Sequence, residues 1–294
     1  MMPDAMHLTL SLGGRWFGRY GTLACPVCQP EARPGQNALT LADGDKGLLA
    51  HCKKAGCDFR DLSTALGVRA GTFATPDLAA IAQREAYRQA EVEKRAQQAR
   101  MIWDAAVPIH RTIAETYLRK RGITCALPGT LRFHADCWHG PTARRLPAMV
   151  ARVDGGATFA IHRTWLRPDG TGKAPVDPPK AMLGGCAGGA VRLSSTPGRL
   201  VVAEGIETAL SLSCGLLDGH ATIWAALSTS GLRALVLPKH PARLSVACDG
   251  DTPGRAAGLA LAERAHALGW AVGTLDPGDD TDWNDVLTGK AVAV

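Results

Sequence analysis

Two pairs of cysteines, Cys25-Pro-Val-Cys28 and Cys52-Lys-Lys-Ala-Gly-Cys57, restrict the N-terminal part of this chain more than any other feature. No run approaches the roughly 18 apolar residues of a membrane span, and the start, with Asp4 and no basic stretch, is not an export signal. The chain is therefore expected in the cytoplasm, where thiols stay reduced and paired cysteines serve metals rather than disulfides. Four thiolates at this spacing suit a tetrahedral zinc ion held by Cys25, Cys28, Cys52 and Cys57. Residues 37–41 and 48–51 read as strands joined by Asp43-Gly44-Asp45-Lys46-Gly47, and Asp-Gly between apolar runs marks a hairpin. A hairpin that carries one cysteine pair to the other closes a zinc ribbon. His51 is a rival ligand, but four cysteines already satisfy the metal, which leaves it a supporting or nucleic-acid-facing place. The remaining cysteines of the nine, Cys125, Cys137, Cys186, Cys214 and Cys248, stand singly in apolar surroundings and read as core.

After the ribbon, residues 58–66 read as a short helix stopped by Gly67. Thr75-Pro76-Asp77 then supplies a cap, a proline at the first helical position and an early acid, opening a long mixed-charge helix toward Trp103. Its apolar positions are too sparse for a deep core, so it reads as a solvated connection. Thr112-Ile-Ala-Glu115 is a capping box for a helix running through Arg121. From 123 to 196 the pattern changes to strands (131–133, 148–153, 158–166) broken by Asp154-Gly-Gly156 and Pro168-Asp-Gly170, which predicts a small, mostly antiparallel sheet. His162, Arg163, Arg167, Lys173 and Lys180 lie along its last strand and loop, where they can line a groove and neutralise phosphates. Gly170-Thr-Gly-Lys173 is not a P-loop: the glycine spacing is wrong, and Ala174 stands where a serine or threonine is needed.

The 294 residues imply one to three compact units, and the formal charge of +6 is unevenly divided. Residues 1–198 carry +10 and residues 199–294 carry −4, a polyanion-binding front and an acidic back. That acidic part alternates regularly. Apolar strands at 200–203, 221–226, 244–248 and 271–275 are separated by helices at 206–216, 231–237 and 253–268. Strands apolar on both faces, alternating with helices, form a parallel sheet covered on both sides, and functional groups gather beyond the carboxyl ends of such strands. Glu204 follows the first strand, with Gly205 freeing the turn, and Asp249-Gly250-Asp251 follows the third. Three carboxylates on one edge repel unless a cation lies between them, and hard oxygen ligands favour Mg2+. Asp282, after the fourth strand, is a further candidate at the rim. The tripeptide Asp-Gly-Asp alone proves little, because Asp43-Gly44-Asp45 is the same tripeptide in a hairpin. Its position at a strand end is what distinguishes the second copy.

Val202-Ala-Glu-Gly-Ile-Glu-Thr-Ala209 and Ala247-Cys-Asp-Gly-Asp-Thr-Pro-Gly-Arg255 resemble the Toprim domain, the metal-binding module shared by topoisomerases and bacterial-type primases. Residues 101–290 resemble the Toprim primases of phages, plasmids and integrated elements. In these, the segment Ala160-Ile-His-Arg-Thr-Trp-Leu-Arg-Pro-Asp-Gly-Thr-Gly-Lys173 with Pro179-Lys180 falls in the basic half of the polymerase core, and Asp282-Trp-Asn-Asp-Val-Leu287 resembles the closing D-x-N-D-x-L. The ribbon resembles the primase zinc-binding domain. Thr252-Pro253 departs from the commoner pattern, harmlessly at a helix start.

The resemblance implies an α/β, multidomain protein: a zinc ribbon (1–68), a helical linker (69–107), a basic α+β part (108–198) and a Toprim domain (199–294). It further implies synthesis of RNA primers on single-stranded DNA from NTPs. Glu204, Asp249 and Asp251 would hold Mg2+ (or Mn2+), Glu207 would stand behind them, and His162, Arg163, Arg167, Lys173 and Lys180 would contact phosphates. With no P-loop in the chain, a separate replicative helicase is the expected partner. The alternatives are a Toprim nuclease and a non-catalytic single-strand-binding accessory of a mobile element. A topoisomerase is disfavoured because the candidate nucleophiles, Tyr20, Tyr87 and Tyr117, all lie outside the carboxylate segment.

Overall fold

The structure, a computed structural model, describes residues 4–44, 47–68 and 78–289. Asp45-Lys46 at the hairpin tip and the Thr75-Pro76-Asp77 cap lie outside the described residues. The chain divides into two units, Met1–Gln89 and Ala90–Val294.

The first unit opens with α1 (Ala5–Ser11), capped by Asp4, whose side chain accepts from the His7 amide. Strands β1 (Arg15–Trp16), β2 (Gly21–Leu23), β3 (Leu39–Gly44) and β4 (Gly47–Cys52) follow as an antiparallel sheet in sequence order. The β3–β4 hairpin is the one expected, extended to a Gly44–Gly47 pair. α2 (Phe59–Ala65) starts at Asp58, which caps the Arg60 amide. Helix α1 packs straight onto β2, where a side chain at Gly21 would collide with Thr9. Leu8, Leu23, Leu39, Leu41, Leu48 and Leu62 form the core, each worth about 1.5–3 kcal/mol when fully buried.

Helix α3 (Leu78–Ala105) leads into the second unit, where Ala99 and Trp103 pack on Val150 and Ile161. There β5 (Val107–Pro108) precedes α4 (Ile113–Lys120), whose cap Thr112 accepts from the Glu115 amide as the sequence predicts. Strands β6 (Leu131–His139), β7 (Arg144–Val153), β8 (Ala160–Trp165) and β9 (Lys180–Gly184) complete a five-stranded sheet in the order β5-β6-β7-β8-β9, antiparallel throughout. Strand β6 runs six residues past its expected end because a bulge between His134 and Cys137 lets pairing resume after an interruption in the alternation.

The second sheet begins with β10 (Val191–Arg192) and β11 (Arg199–Ala203), followed by α5 (Ile206–Ser211). A single π turn (Leu212–Leu216) ends that helix, shorter than the pattern suggests, because Cys214 and Gly215 leave helical dihedrals. Then come β12 (Ala221–Ala225), α6 (Thr229–Ala234), β13 (Arg243–Ala247), α7 (Thr252–Ala267), β14 (Ala271–Leu275) and α8 (Trp283–Thr288). The strand order is β10-β12-β11-β13-β14, with the four expected strands parallel and β10 added antiparallel at the edge. Tyr117, Leu118, Leu131 and Met149 share one core with Val201, Ile206, Leu210 and Ile223. Leu200, Val202, Trp224, Leu244 and Leu261 fill a second core on the other side. The basic segment thus covers one face of the parallel sheet rather than sitting beside it.

Candidate functional site

In the first unit the four cysteines converge. Cys25 follows β2, Cys52 ends β4, and Gln29 braces the first pair by accepting from the amides of Cys25 and Ala38 at 3.2 and 3.1 Å. The sulfurs of Cys25 and Cys57 lie 3.9 Å apart, those of Cys28 and Cys52 3.5 Å apart, and all four are within 4.8 Å of one another. A tetrahedron with metal–sulfur bonds of about 2.3 Å has edges of about 3.8 Å, so the cluster fits a structural ion of the zinc type. Backbone amides in the turn after Cys52, chiefly that of Ala55, bring its thiol down to about 5 despite burial. Burial and the neighbouring thiols push Cys57 up to about 12 and raise Cys28. One thiolate is thus prepared by the backbone, and full ionisation of the set calls for a cation.

The second site lies at the carboxyl ends of the parallel strands. Glu204 follows β11, and the backbone N–H of Thr229 donates to its carboxylate. Burial, then the negative charge of Asp249, raises its pKa, with Lys180 opposing. Asp249 stands two residues past β13, and the Thr208 hydroxyl on α5 donates to it at 3.3 Å. Burial, then Asp282, raises Asp249, and Lys180 again opposes. Asp251 caps α7 through the Gly254 amide at 2.6 Å, and Asp282 caps α8 through the amides of Asn284 and Asp285. The loop 278–282 folds onto the Asp-Gly-Asp turn: Gly250 donates to Thr281 and accepts from Asp280. A side chain at Gly250 would run into the carbonyl of Gly278. Gly250→Ala is expected to push that loop away and lower stability by about 2–3 kcal/mol in a thermal melt; an unchanged melting point would show that the loop yields without cost.

These carboxylates share an edge but do not close on one point. Among the described residues, only the cysteine quartet gathers three or more potential ligands within 4.8 Å. Mutual repulsion and the capping bonds of Asp251 and Asp282 keep the acids apart. An open all-oxygen donor set of this kind still fits Mg2+, which retains several waters and takes one or two carboxylates.

The pleat sorts the basic residues. His162 and Arg163 are neighbours on β8 and therefore face opposite sides of the sheet. Lys180 pairs with Thr164 and Lys173 with Leu166, which puts both on the His162 side. Arg163 belongs to the other side, with its guanidinium 4.9 Å from the Trp165 ring. His162 is 5% exposed, and burial together with Lys180, Lys173 and Arg163 brings it down to about 4. It is an enclosed ring on the face that carries Lys173 and Lys180. Arg167 is exposed on the β8–β9 loop, and Lys180 is exposed at the start of β9.

Sequence reading missed two contacts. Tyr117, weighed only as a nucleophile, is 1% exposed and donates to Glu207 at 2.7 Å. Lys173 forms an ion pair with the same carboxylate at 3.3 Å.

The mostly parallel sheet, covered on both faces, thus carries a glutamate and an Asp-Gly-Asp turn at its strand ends, where functional groups of α/β domains gather. Residues 199–292 match the family described as the Toprim domain, and the C-terminal third of this chain is a Toprim domain. Residues 93–193 match a domain of unknown function (DUF7146). No curated protein matches the chain. Among solved structures it is similar to the zinc-binding and RNA polymerase domains of the Aquifex aeolicus primase (12% identity, 98% of this chain and 83% of that one, TM-score 0.40). It is also similar to a DNA primase domain from Pseudomonas aeruginosa (16% identity, 62% and 68%, TM-score 0.39). A third is the RNA polymerase domain of the Mycobacterium tuberculosis primase DnaG (14%, 68% and 79%, TM-score 0.36). No helix among the described residues is long and apolar enough to cross a membrane.

Proposed function

We propose that this protein is a DNA primase that makes short RNA primers on single-stranded DNA by nucleotidyl transfer. The observation that carries the reading is the position of Lys180. Lys180 starts β9 opposite Thr164, on the face of the sheet that carries His162 and Lys173, and its charge opposes the upward shifts that burial and neighbouring acids impose on Glu204 and Asp249. A cation across from a carboxylate edge is suited to a triphosphate, held by Lys180 on one side and by a carboxylate-bound metal on the other. The four-cysteine ribbon agrees with the reading.

In this reading zinc occupies the cysteine cluster, and Glu204, Asp249 and Asp251 hold Mg2+ or Mn2+. When bound, that ion supplies charge neutralisation and an orienting point for the 3′-hydroxyl. Lys180 and Lys173 face the phosphates, Arg167 meets the template from the loop, and Arg163 serves the opposite face of the sheet. The ribbon occupies 1–68, the connecting helix 69–107, the basic part 108–198 and the Toprim domain 199–294. The protein acts in the cytoplasm on a phage, plasmid or integrated element, and a separate replicative helicase delivers the single strand.

The test is incorporation of labelled NTPs on random single-stranded templates with and without Mg2+, alongside labelled single-stranded DNA incubated with Mg2+ and no nucleotides. Templated, Mg2+-dependent incorporation is expected. Cleavage without synthesis indicates a Toprim nuclease, and binding with neither activity indicates an accessory protein.

A further inference from the structure

The fragment Gly170-Thr-Gly-Lys173, which fails as a P-loop, is held firmly in the structure. Asp169 accepts from the amide and hydroxyl of Thr171 at 2.9 and 2.7 Å, Arg167 donates to Gly172 and Gly170 to Arg167. Gly170 has a φ of +64° and lies so close to α4 that a side chain there would press on Thr116 and on the Ile113 carbonyl. The loop returns to the sheet through the Leu166–Lys173 bridge, which fixes the base of Lys173 on the face that carries Lys180.

The head of Lys173 is fixed as well. Glu207, on the first turn of α5 three residues past Glu204, is 16% exposed and takes both the Lys173 ammonium at 3.3 Å and the Tyr117 hydroxyl at 2.7 Å on one oxygen. Burial alone would raise this carboxyl, yet Lys173, Tyr117 and Arg121 hold it at about 2, so it is charged at every working pH. Burial and Glu207 raise the Tyr117 phenol, which keeps its proton and remains a donor. An ammonium has three donor positions. Lys173 is 33% exposed and uses one of them on Glu207, which leaves it able to meet an anion from solvent.

Resting on the proposed function, we propose that Glu207 is a positioning residue. With Tyr117 it anchors Lys173 so that the ammonium is presented to the polyphosphate of the incoming nucleotide, next to the edge marked by Glu204. Neither Glu207 nor Tyr117 touches the nucleotide in this arrangement, and both act through Lys173. Tyr117 comes from α4, Lys173 from the β8–β9 loop and Glu207 from α5, so one half-buried carboxylate links the nucleotide-facing cation to the metal-facing helix.

The test is a calorimetric titration with ATP, with Ca2+ replacing Mg2+ to prevent turnover, on the full chain and on E207Q, K173A, the double variant and Y117F. E207Q and K173A are each expected to weaken ATP binding about tenfold, and Y117F about threefold, from loss of charge-assisted hydrogen bonds. The decisive expectation is non-additivity: E207Q adds nothing in the K173A background, as for two residues acting as one unit. Additive losses, unchanged affinity in E207Q, or tighter binding from a freed Lys173 each overturn the proposal. Y117F leaves the half-buried charge pair intact and decides the matter if E207Q fails to fold. Should the wild-type chain bind single-stranded DNA but no ATP, the primase reading itself falls and takes this inference with it. That failure appears in the wild type, before any variant is compared.

Discussion

Replacing Asp249 by alanine is expected to reduce templated nucleotide incorporation by about a thousandfold or more, the scale of loss when charge stabilisation at a phosphoryl-transfer site is removed. The same substitution is expected to leave the melting temperature unchanged or slightly raised. In the folded protein burial and then Asp282 disfavour the ionised form of Asp249. A carboxylate held against its preference costs stability at neutral pH, so its removal relieves strain. The Thr208 hydroxyl loses an acceptor 3.3 Å away, a small penalty at a long, partly exposed contact. Asp249→Asn keeps that acceptor and removes only the charge, so it is expected to match alanine in activity and to melt at or above the alanine variant and above wild type. The measurements are labelled NTP incorporation and a thermal melt on the same preparations. Residual synthesis within tenfold of wild type would exclude Asp249 as a metal ligand. A parallel loss of folding would show that the residue is structural.

The expected opposition between activity and stability follows from how the edge is built. Acids that a hydrophobic sheet places at its strand ends repel one another when no cation is present, and Asp251 and Asp282 relieve part of that repulsion by capping α7 and α8. Capping also aims them, since each side chain is tied to the first turn of the helix that follows. Gly250 then lets the 278–282 loop lie directly on the Asp-Gly-Asp turn, which brings Asp282 close enough to Asp249 to matter electrostatically. In the hairpin copy, Asp43 instead accepts from the Ala5 amide at the start of α1 at 2.9 Å, and Gly44 pairs with Gly47.

Features with a period or a punctuation mark were legible in the sequence. The apolar runs at 200–203 and 244–248 located β11 and β13, and with them Glu204 and Asp249, because strand ends in a parallel sheet are where polar groups emerge. The cysteine spacing located the ribbon. Strands β1, β5 and β10 were not legible: two residues carry no periodicity, and each exists only because an edge was open to pair. The Tyr117–Glu207 contact was hidden for another reason, since 90 residues separate the partners and nothing local in either segment points to the other. The division of the basic residues was in principle visible. His162 and Arg163 are adjacent on a strand, and alternation alone puts them on opposite faces.

Removing metal from the cysteine cluster is expected to unfold the first unit while the second remains folded. The N-terminal core consists of small and medium side chains around Leu39, Leu41 and Leu62, and a domain of that size is marginal without a staple. Binding of a structural zinc ion contributes roughly 10–16 kcal/mol in comparable small domains, against a total stability of about 5–15 kcal/mol for a typical domain. The metal-free ribbon must also keep four thiols within 4.8 Å of one another. Two of these, Cys28 and Cys57, are disfavoured as thiolates by burial. Cys52→Ser removes the thiol that the backbone prepares best and is expected to act like a chelator. The second unit has its own cores around Tyr117 and Leu244, which contain no cysteine of the quartet. Hydrogen exchange read peptide by peptide on the full chain, with metal content measured in parallel, separates the outcomes. Protection is expected to collapse across 15–66 and to persist across 199–275 in both the chelated protein and Cys52→Ser. Full protection of β3 and β4 at zero metal content would show that the leucine core suffices alone and that the quartet serves something other than folding.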